Sequence, residues 1–182
     1  MNYNFVDGFV SSYLLSVKFL SQVLSEMLVR LLDNALIETV YPAELAGLSF
    51  SISTGDRGIS FSCAGFDQKL GHLVGVVLRS LAEMKFEPTR FSMLREKYAR
   101  GLANVCKSQA HELASQYSSE ALRTRTWRVD DMQAALQDIS FEDVITHRRA
   151  LLSRGLITML VFGNTSAEGA LELTRKVRRF HS

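Results

Sequence analysis

The sequence predicts an α+β fold in which a largely antiparallel sheet is covered on one face by helices, as a two-layer sandwich. The first observation is residues 48–63, where apolar and polar residues alternate on both sides of a break containing Gly55 and Gly58. This alternation predicts an antiparallel hairpin with one buried face. Two further strand-like segments lie near the ends of the chain, with helical patterns between them. This combination favours a sandwich over a doubly wound parallel sheet.

Length and composition predict one domain over residues 1–182. Hydrophobic residues make up 47% and charged residues 22% of the chain, as in globular proteins that bury a sizeable core. The 21 basic and 19 acidic residues leave a formal net charge of +2. Because this charge is small, neither a nucleic acid nor a membrane surface is expected as a partner.

A strand and a long helix come first. Residues 3–13 carry aromatic and β-branched side chains around Gly8, so we expect a strand with a bulge or bend at that glycine. Apolar residues at three- and four-residue spacing then predict a helix that is capped by Ser16. It should end before Pro42, because the residue preceding a proline avoids helical geometry.

The hairpin has two chemically different faces. The residues expected to face the core are Leu48, Phe50, Ile52, Ile59, Phe61 and Cys63. The residues expected on the opposite face are Ser49, Ser51, Ser53, Ser60 and Ser62. A polar but uncharged face of this kind suits contact with water or with a wide cavity.

Helical patterns dominate the middle of the chain. Asp67 is a candidate N-cap for the helix that follows the hairpin, and Pro88 suits the first turn of the next helix. Gly101 favours a bend or a close packing contact in that second helix. Residues 107–128 should form a helix with a narrow buried edge, and Trp127 should anchor the corner at its end.

The last third of the chain contains both polar helix starts and an apolar strand. Asp130-Asp131 can start a short helix, and Ser140 with Asp143 resembles a capping box at the start of another. Residues 156–163 form a continuous apolar run that predicts an interior strand, and residues 166–180 form an amphipathic helix. The coarse order is therefore β-α-β-β-α-α-α-α-β-α.

The sequence contains no complete motif for catalysis, metal binding or nucleotide binding. His111 and Glu112 begin the zinc pattern H-E-x-x-H, but Ser115 stands where the second histidine should be. The inverted pattern H-x-x-E-H fails at His72, at His111 and at His147. We therefore expect no catalytic residue, no cofactor site and no metal ligand in this chain.

Cysteine usage and the amino-terminal region predict a cytoplasmic protein. Cys63 and Cys106 have neither metal-type spacing nor a catalytic signature, so we expect two free core thiols in a reducing compartment. Residues 9–24 are interrupted by Lys18 and by serines, and they lack a basic region and a cleavage site. They predict neither a signal peptide nor a membrane anchor.

Three separated segments resemble the insulysin/pitrilysin family of zinc metallopeptidases. YPAELAGLSFSI, preceded by LVRLLDNALIETV, is similar to the family's non-catalytic third domain, in which a long helix leads through A-E-L-A-G-L into a hairpin. FEPTRFSMLREKYARGLANV is similar to the family's F-x-x-x-R-F-x-x-x-[KR]-[DE] helix start. LLSRGLITMLVFGNTSAEGALEL is similar to a family strand that ends in Gly-Asn before a final helix.

The resemblance implies one domain, or a fragment, of a peptidase built from four homologous α+β domains around an enclosed chamber. The implied domain fold is that of insulysin and the mitochondrial processing peptidase. Zinc and the general base belong to the first domain of such an enzyme, so this chain should be inactive alone. Its implied role is to form part of the chamber wall and to hold neighbouring domains.

The resemblance also implies partners and contact residues. The partners are the other domains of the same peptidase and a peptide substrate. If the serine face lines the chamber, the candidate peptide contacts are Ser49, Ser51, Ser60 and Ser62. A solvated sheet face is the simpler interpretation of each serine. Glu44 is a candidate for holding the A-E-L-A-G-L turn by accepting backbone N–H bonds.

Two alternatives stay open. One is a stand-alone scaffold or assembly subunit of the same fold without a peptidase partner, which the flanking reading frame would reveal. The other is a homodimer that buries the polar hairpin edge, which sedimentation at high concentration would reveal.

Overall fold

Four strands and seven helices make up the described part of the chain, which comprises residues 3–11, 19–55, 58–122, 127–153 and 156–178 of this computed structural model. In chain order the elements are β1 (Tyr3–Ser11), α1 (Phe19–Leu45), β2 (Ser49–Gly55), β3 (Gly58–Phe66), α2 (Asp67–Glu83), α3 (Pro88–Val105), α4 (Ala110–Leu122), α5 (Val129–Asp138), α6 (Phe141–Ser153), β4 (Leu156–Gly163) and α7 (Ala167–Arg178). The coarse order had four helices between β3 and β4. The structure has five, because the coarse order did not count the short helix predicted to start at Asp130-Asp131, which is α5.

The sheet is antiparallel throughout its described strands, in the order β2-β3-β1-β4. β1 is central and pairs with both β3 and β4. The predicted bulge or bend at Gly8 is wrong as regards a bulge, because Gly8 pairs with Phe61 on one side and with Met159 on the other without a change of register. The Ser16 cap and residues 12–13 of the predicted first strand lie outside the described residues.

β4 is an edge strand, so its predicted interior position is wrong. In the described part of the chain it pairs with β1 alone, and its alternate side chains face outward. Three of these, Leu156, Leu160 and Phe162, are exposed. An apolar run indicates burial on both faces, but it does not report the order of the strands.

The helices cover one face of the sheet, which confirms the predicted two-layer α+β sandwich. α1 and α2 contact the strands that carry the buried side chains of Val6, Ile59, Phe61 and Cys63. α1 also contacts α3, α5 and α6. Because α1 packs against the sheet and against other helices, its buried residues extend around much of its circumference.

α1 continues through Pro42, so the end predicted before that residue is wrong. Proline removes one backbone donor, and here the loss falls at an exposed position in the last turn. The helix ends instead at Leu45, and Gly47, two residues later, has a left-handed φ of 82°. Leu48 N–H donates to the Ala43 carbonyl at 3.0 Å, and Gly47 N–H donates to the Glu44 carbonyl at 2.9 Å. These two bonds form a Schellman motif, so a glycine and not the proline ends the helix.

Three of the predicted helix starts have different outcomes. Pro88 begins α3 as predicted, but α2 begins at Asp67 with Phe66, not Asp67, in the N-cap position. The capping box at α6 is confirmed. Asp143 Oδ2 accepts from the Ser140 N–H at 2.8 Å, and Ser140 Oγ accepts from the Asp143 N–H at 3.2 Å. Ser140 Oγ also donates to Asp143 Oδ2 at 2.6 Å, and this side-chain bond, followed by the bond from the Ser140 N–H, lowers the pKa of the Asp143 carboxyl.

The polar middle segment packs less closely than predicted. None of the α4 side chains is buried, so the narrow buried edge expected there is wrong. α4 is rich in small and polar residues, and its exposed apolar side chains include Tyr117 and Leu122. At the corner, the Trp127 ring lies 5.1 Å from the Phe19 ring at the start of α1.

Two further expectations for α3 are corrected. A Cβ at Gly101 would have open space around it, so the glycine makes no close packing contact. Cys106 is exposed at the end of α3, whereas Cys63 is buried as expected. Burial raises the pKa of the Cys63 thiol to about 12, so that thiol is unreactive at neutral pH.

Among the described helices, none has both the length and the apolar character that crossing a bilayer requires.

Candidate functional site

The candidate site is the open face of the sheet, on the side away from α1. On its hairpin half, antiparallel pairing sets Ser51 opposite Ser62 and Ser53 opposite Ser60. The Oγ atoms of Ser51 and Ser62 are 2.8 Å apart, and those of Ser53 and Ser60 are 2.9 Å apart. Each pair is therefore joined across the strands by a hydrogen bond, and the two pairs form a serine ladder along the hairpin.

The ladder includes only part of the predicted contact set. Ser51 and Ser62 are brought together, whereas Ser60 bonds to Ser53, which was not among the candidate contacts. Ser49 is exposed but lies opposite Ala64, so it has no serine across the strand. The signal for Ser53 was present in the sequence, because pairing symmetrically about the 54–58 break sets it opposite Ser60.

The ladder can exchange hydrogen bonds but is not built for nucleophilic catalysis. A hydroxyl has one donor hydrogen and two acceptor lone pairs, so each bonded pair retains one hydrogen and several lone pairs for an outside partner. Within the described residues, the side-chain partners of these hydroxyls are other serines. A serine nucleophile needs an adjacent base, and none lies beside the ladder among the side chains that the structure describes.

The open face becomes apolar on the opposite side of the sheet. We call Leu156, Leu160 and Phe162 the β4 patch; all three project from β4 on this face. Phe162 lies opposite Phe5 of β1, which is half-buried on the same face. The open face is therefore polar along β2 and β3 and apolar along β4.

The one described histidine–serine contact lies inside the helical layer and not in a cleft. Ser25 of α1 and His147 of α6 are both buried, and Ser25 Oγ lies 2.8 Å from His147 Nε2. Burial lowers the pKa of His147 to about 4, so the imidazole is neutral at physiological pH. A substrate cannot reach this pair because both side chains are buried. The contact instead links α1 to α6. His147 shares its helix face with buried Val144 and Leu151. This three- and four-residue spacing is the signal in the sequence that indicates burial of His147.

The described residues do not fit a zinc site. No three His, Cys, Asp or Glu side chains in the described ranges come together as a metal-binding group. His111 and Glu112 are both exposed on α4, and Glu112 Oε2 accepts from the Gln109 N–H at 3.3 Å at the helix start. Glu44 is exposed, and it contributes to the A-E-L-A-G-L turn through its backbone carbonyl, which accepts from the Gly47 N–H.

Comparison with known proteins agrees with the resemblance. A family model described as the middle or third domain of peptidase M16 matches residues 8–135. The chain is 32% identical over 155 residues to insulin-degrading enzyme-like 2 of Arabidopsis thaliana, covering 85% of this chain and 16% of that protein. It is 30% identical over 150 residues to the putative zinc protease mug138 of Schizosaccharomyces pombe, covering 82% of this chain and 16% of that protein.

The fold also matches a solved structure. The crystal structure of pitrilysin superposes with a TM-score of 0.92 over 98% of this chain and 19% of that chain, at 21% sequence identity. At this identity the match shows the fold. The chain spans 16% of the length of the two relatives named above.

Proposed function

The chain belongs to the peptidase M16 family, whose middle or third domain its residues 8–135 match, and from this we propose that it is a non-catalytic domain of a zinc endopeptidase. In this proposal residues 1–182 form one domain of a longer polypeptide. The domain match is the observation that carries the proposal. Zinc is a property that the name of one relative states, and the motif that would bind it is expected in another domain.

We further propose that the open sheet face forms part of a chamber wall that encloses the peptide substrate. The serine ladder supports this role because it is polar, uncharged and ordered by its own hydrogen bonds. Such a surface can bond to the peptide backbone, which is common to all substrates, without selecting a particular side chain. The proposed peptide contacts are Ser49, Ser51, Ser53, Ser60 and Ser62.

The experiment compares the purified chain with a longer polypeptide that adds a domain containing H-x-x-E-H. We expect the chain alone to leave a fluorogenic peptide uncleaved and to retain no stoichiometric zinc by elemental analysis. The longer polypeptide should cleave the peptide and bind zinc.

The matched control is the longer polypeptide with the glutamate of H-x-x-E-H replaced by glutamine, which should bind zinc without cleaving. Peptide cleavage by the chain alone, at a specific activity that stays constant through successive purification steps, would contradict the proposal.

A further inference from the structure

The β4 patch is the strongest apolar feature on the open sheet face. The side chains of Leu156, Leu160 and Phe162 are 68%, 61% and 72% exposed. They project from one strand on one face, separated by the exposed Thr158. Soluble proteins carry single exposed apolar residues routinely, but three large ones clustered on a strand indicate an interaction surface.

The sequence of β4 is unlike that of a natural sheet edge. Edge strands usually carry lysine, proline, an inward-pointing charge or a bulge, because an unprotected edge promotes association. The β4 sequence LITMLVFG contains no charged residue and no proline, and its pairing with β1 is unbroken. The strand has the composition of a covered strand although its outer face is exposed.

The strand cannot turn the patch inward. Ile157, Met159 and Val161, which alternate with the patch residues, are half-buried and pack against the core. Side chains alternate between the faces of a strand, so a shift of one residue would expose these three in place of the patch. Cover for the patch must therefore come from outside the described fold.

We propose that the β4 patch is the docking surface for an apolar face of another domain of the same longer polypeptide; this inference rests on the proposed function. The match to this chain covers 16% of each of the two relatives named above, so most of a polypeptide of that length lies outside residues 1–182. In this arrangement the serine ladder stays in contact with the chamber while the β4 half of the same face is dry.

Two other occupants fit the patch less well. A peptide of variable sequence binds through its backbone, which would pair with the edge of β4 and leave the apolar side chains on the sheet face uncovered. A second copy would need about 800 Å² of buried surface per partner for a stable dimer, and three side chains supply only part of that area. A covalently linked domain needs less area, because the linkage raises its effective concentration.

The test measures the reactivity of engineered cysteines with a maleimide. Leu160→Cys and the matched control Leu122→Cys, at an 85% exposed position on α4, are each made in a Cys106→Ser background. Cys63 is buried and stays silent. Both engineered thiols should react rapidly in the 182-residue chain. In the longer polypeptide the thiol of L160C should react more slowly by a factor of at least about ten, because labelling then requires local opening. The thiol of L122C should keep its rate.

Three outcomes would overturn the inference. The first is an L160C rate that is equal in both polypeptides, and the second is equal slowing of L160C and L122C. The third is an L160C rate that is already slow in the 182-residue chain and falls with protein concentration, which would identify a second copy as the occupant. Peptide cleavage measured on the same longer polypeptide separates the two proposals: protection of L160C without cleavage contradicts the proposed function and leaves the docking surface supported.

Discussion

Single residues in this fold are constrained by what packs around them. Gly65 has a φ of 147°, and a Cβ there would collide with the Leu48 side chain and lie 3.0 Å from the Leu48 Cα. The position therefore excludes every side chain. Ser25 and His147 show the same constraint for a polar pair, since two groups hidden from water must satisfy each other.

The His147 imidazole makes the stability of the fold sensitive to acid. Its pKa falls from 6.5 to about 4 on folding, because burial disfavours the charged form. Between these values the unfolded chain binds more protons than the folded chain, so stability is fully present above pH 6.5 and is lost as the pH falls towards 4. We expect a loss on the order of 3 kcal/mol from this residue by pH 4, measured by urea unfolding at a series of pH values.

His147→Gln provides the comparison, because the amide keeps a hydrogen-bonding group near Ser25 without titrating. This variant should flatten the pH dependence between 6.5 and 4. A pH dependence that survives in the His147 variant would contradict the assignment.

At the scale of elements, a polar network ties the end of the hairpin to the helical layer. Thr54 of β2 donates to Glu26 of α1, and Glu26 pairs with Arg30 at 3.4 Å. The Arg30 guanidinium lies 4.1 Å from the centre of the Tyr98 ring on α3. Burial, with the nearby Glu26 charge, raises the pKa of Tyr98 to about 12. One carboxylate therefore connects a strand and two helices.

The network predicts different effects from two glutamates that both pair with an arginine four residues later. Glu26→Ala leaves the Thr54 hydroxyl and the Arg30 guanidinium without their partner in a half-buried site, so the free energy of unfolding should fall by about 1–3 kcal/mol. Glu96→Ala removes the exposed pair with Arg100 and should change it by less than about 0.5 kcal/mol. Urea unfolding at pH 7 measures both. Equal effects would show that the network adds nothing beyond a surface ion pair.

Elements whose limits depend on neighbouring residues in the chain could be predicted, and those that depend on distant partners could not. The hairpin, the start of α3 at Pro88 and the Ser140 capping box follow from local spacing and local hydrogen bonds. The predicted end of α1 was wrong because a proline in the last turn removes only one backbone donor, and the Schellman bonds at Gly47 end the helix after it. The position of β4 was wrong because strand order is set by contacts across the whole chain.

At the scale of the whole molecule, the open sheet face divides into two halves with different expected roles. The serine ladder lies on β2 and β3, and the β4 patch lies on the opposite edge. Of the four predicted contact residues, Ser51 and Ser62 form one bonded pair. Ser60 pairs with Ser53, which was not predicted as a contact. The sequence could supply the face on which each serine lies, since alternation determines it, but not the half of the sheet that we propose as a docking surface for another domain.

The chamber role predicts that the ladder affects substrate binding and not the chemical step. In the longer peptidase, Ser51→Ala combined with Ser62→Ala should raise KM for unstructured peptides by about 3- to 10-fold and leave kcat unchanged, because hydrogen bonds to the peptide backbone are lost. Steady-state kinetics with several peptides measures this.

The control for the ladder is Ser118→Ala on α4, whose hydroxyl donates to the Ala114 carbonyl of its own helix at 2.7 Å. It should leave KM unchanged. A KM that is the same in the double variant and in the unmodified enzyme would mean that the serine face is merely solvated.

The sequence by itself determined the faces of the elements and the family of the chain. A period of two assigned the core and serine faces of the hairpin, periods of three and four assigned the buried helix faces, and three motifs identified the peptidase family. Only the tertiary structure decided that β1 is central, that β4 is an edge, and that Ser25 meets His147 from 122 residues away. The physical reason is that periodicity records which side of a segment avoids water, whereas strand order and buried polar pairs depend on which distant segments share the core.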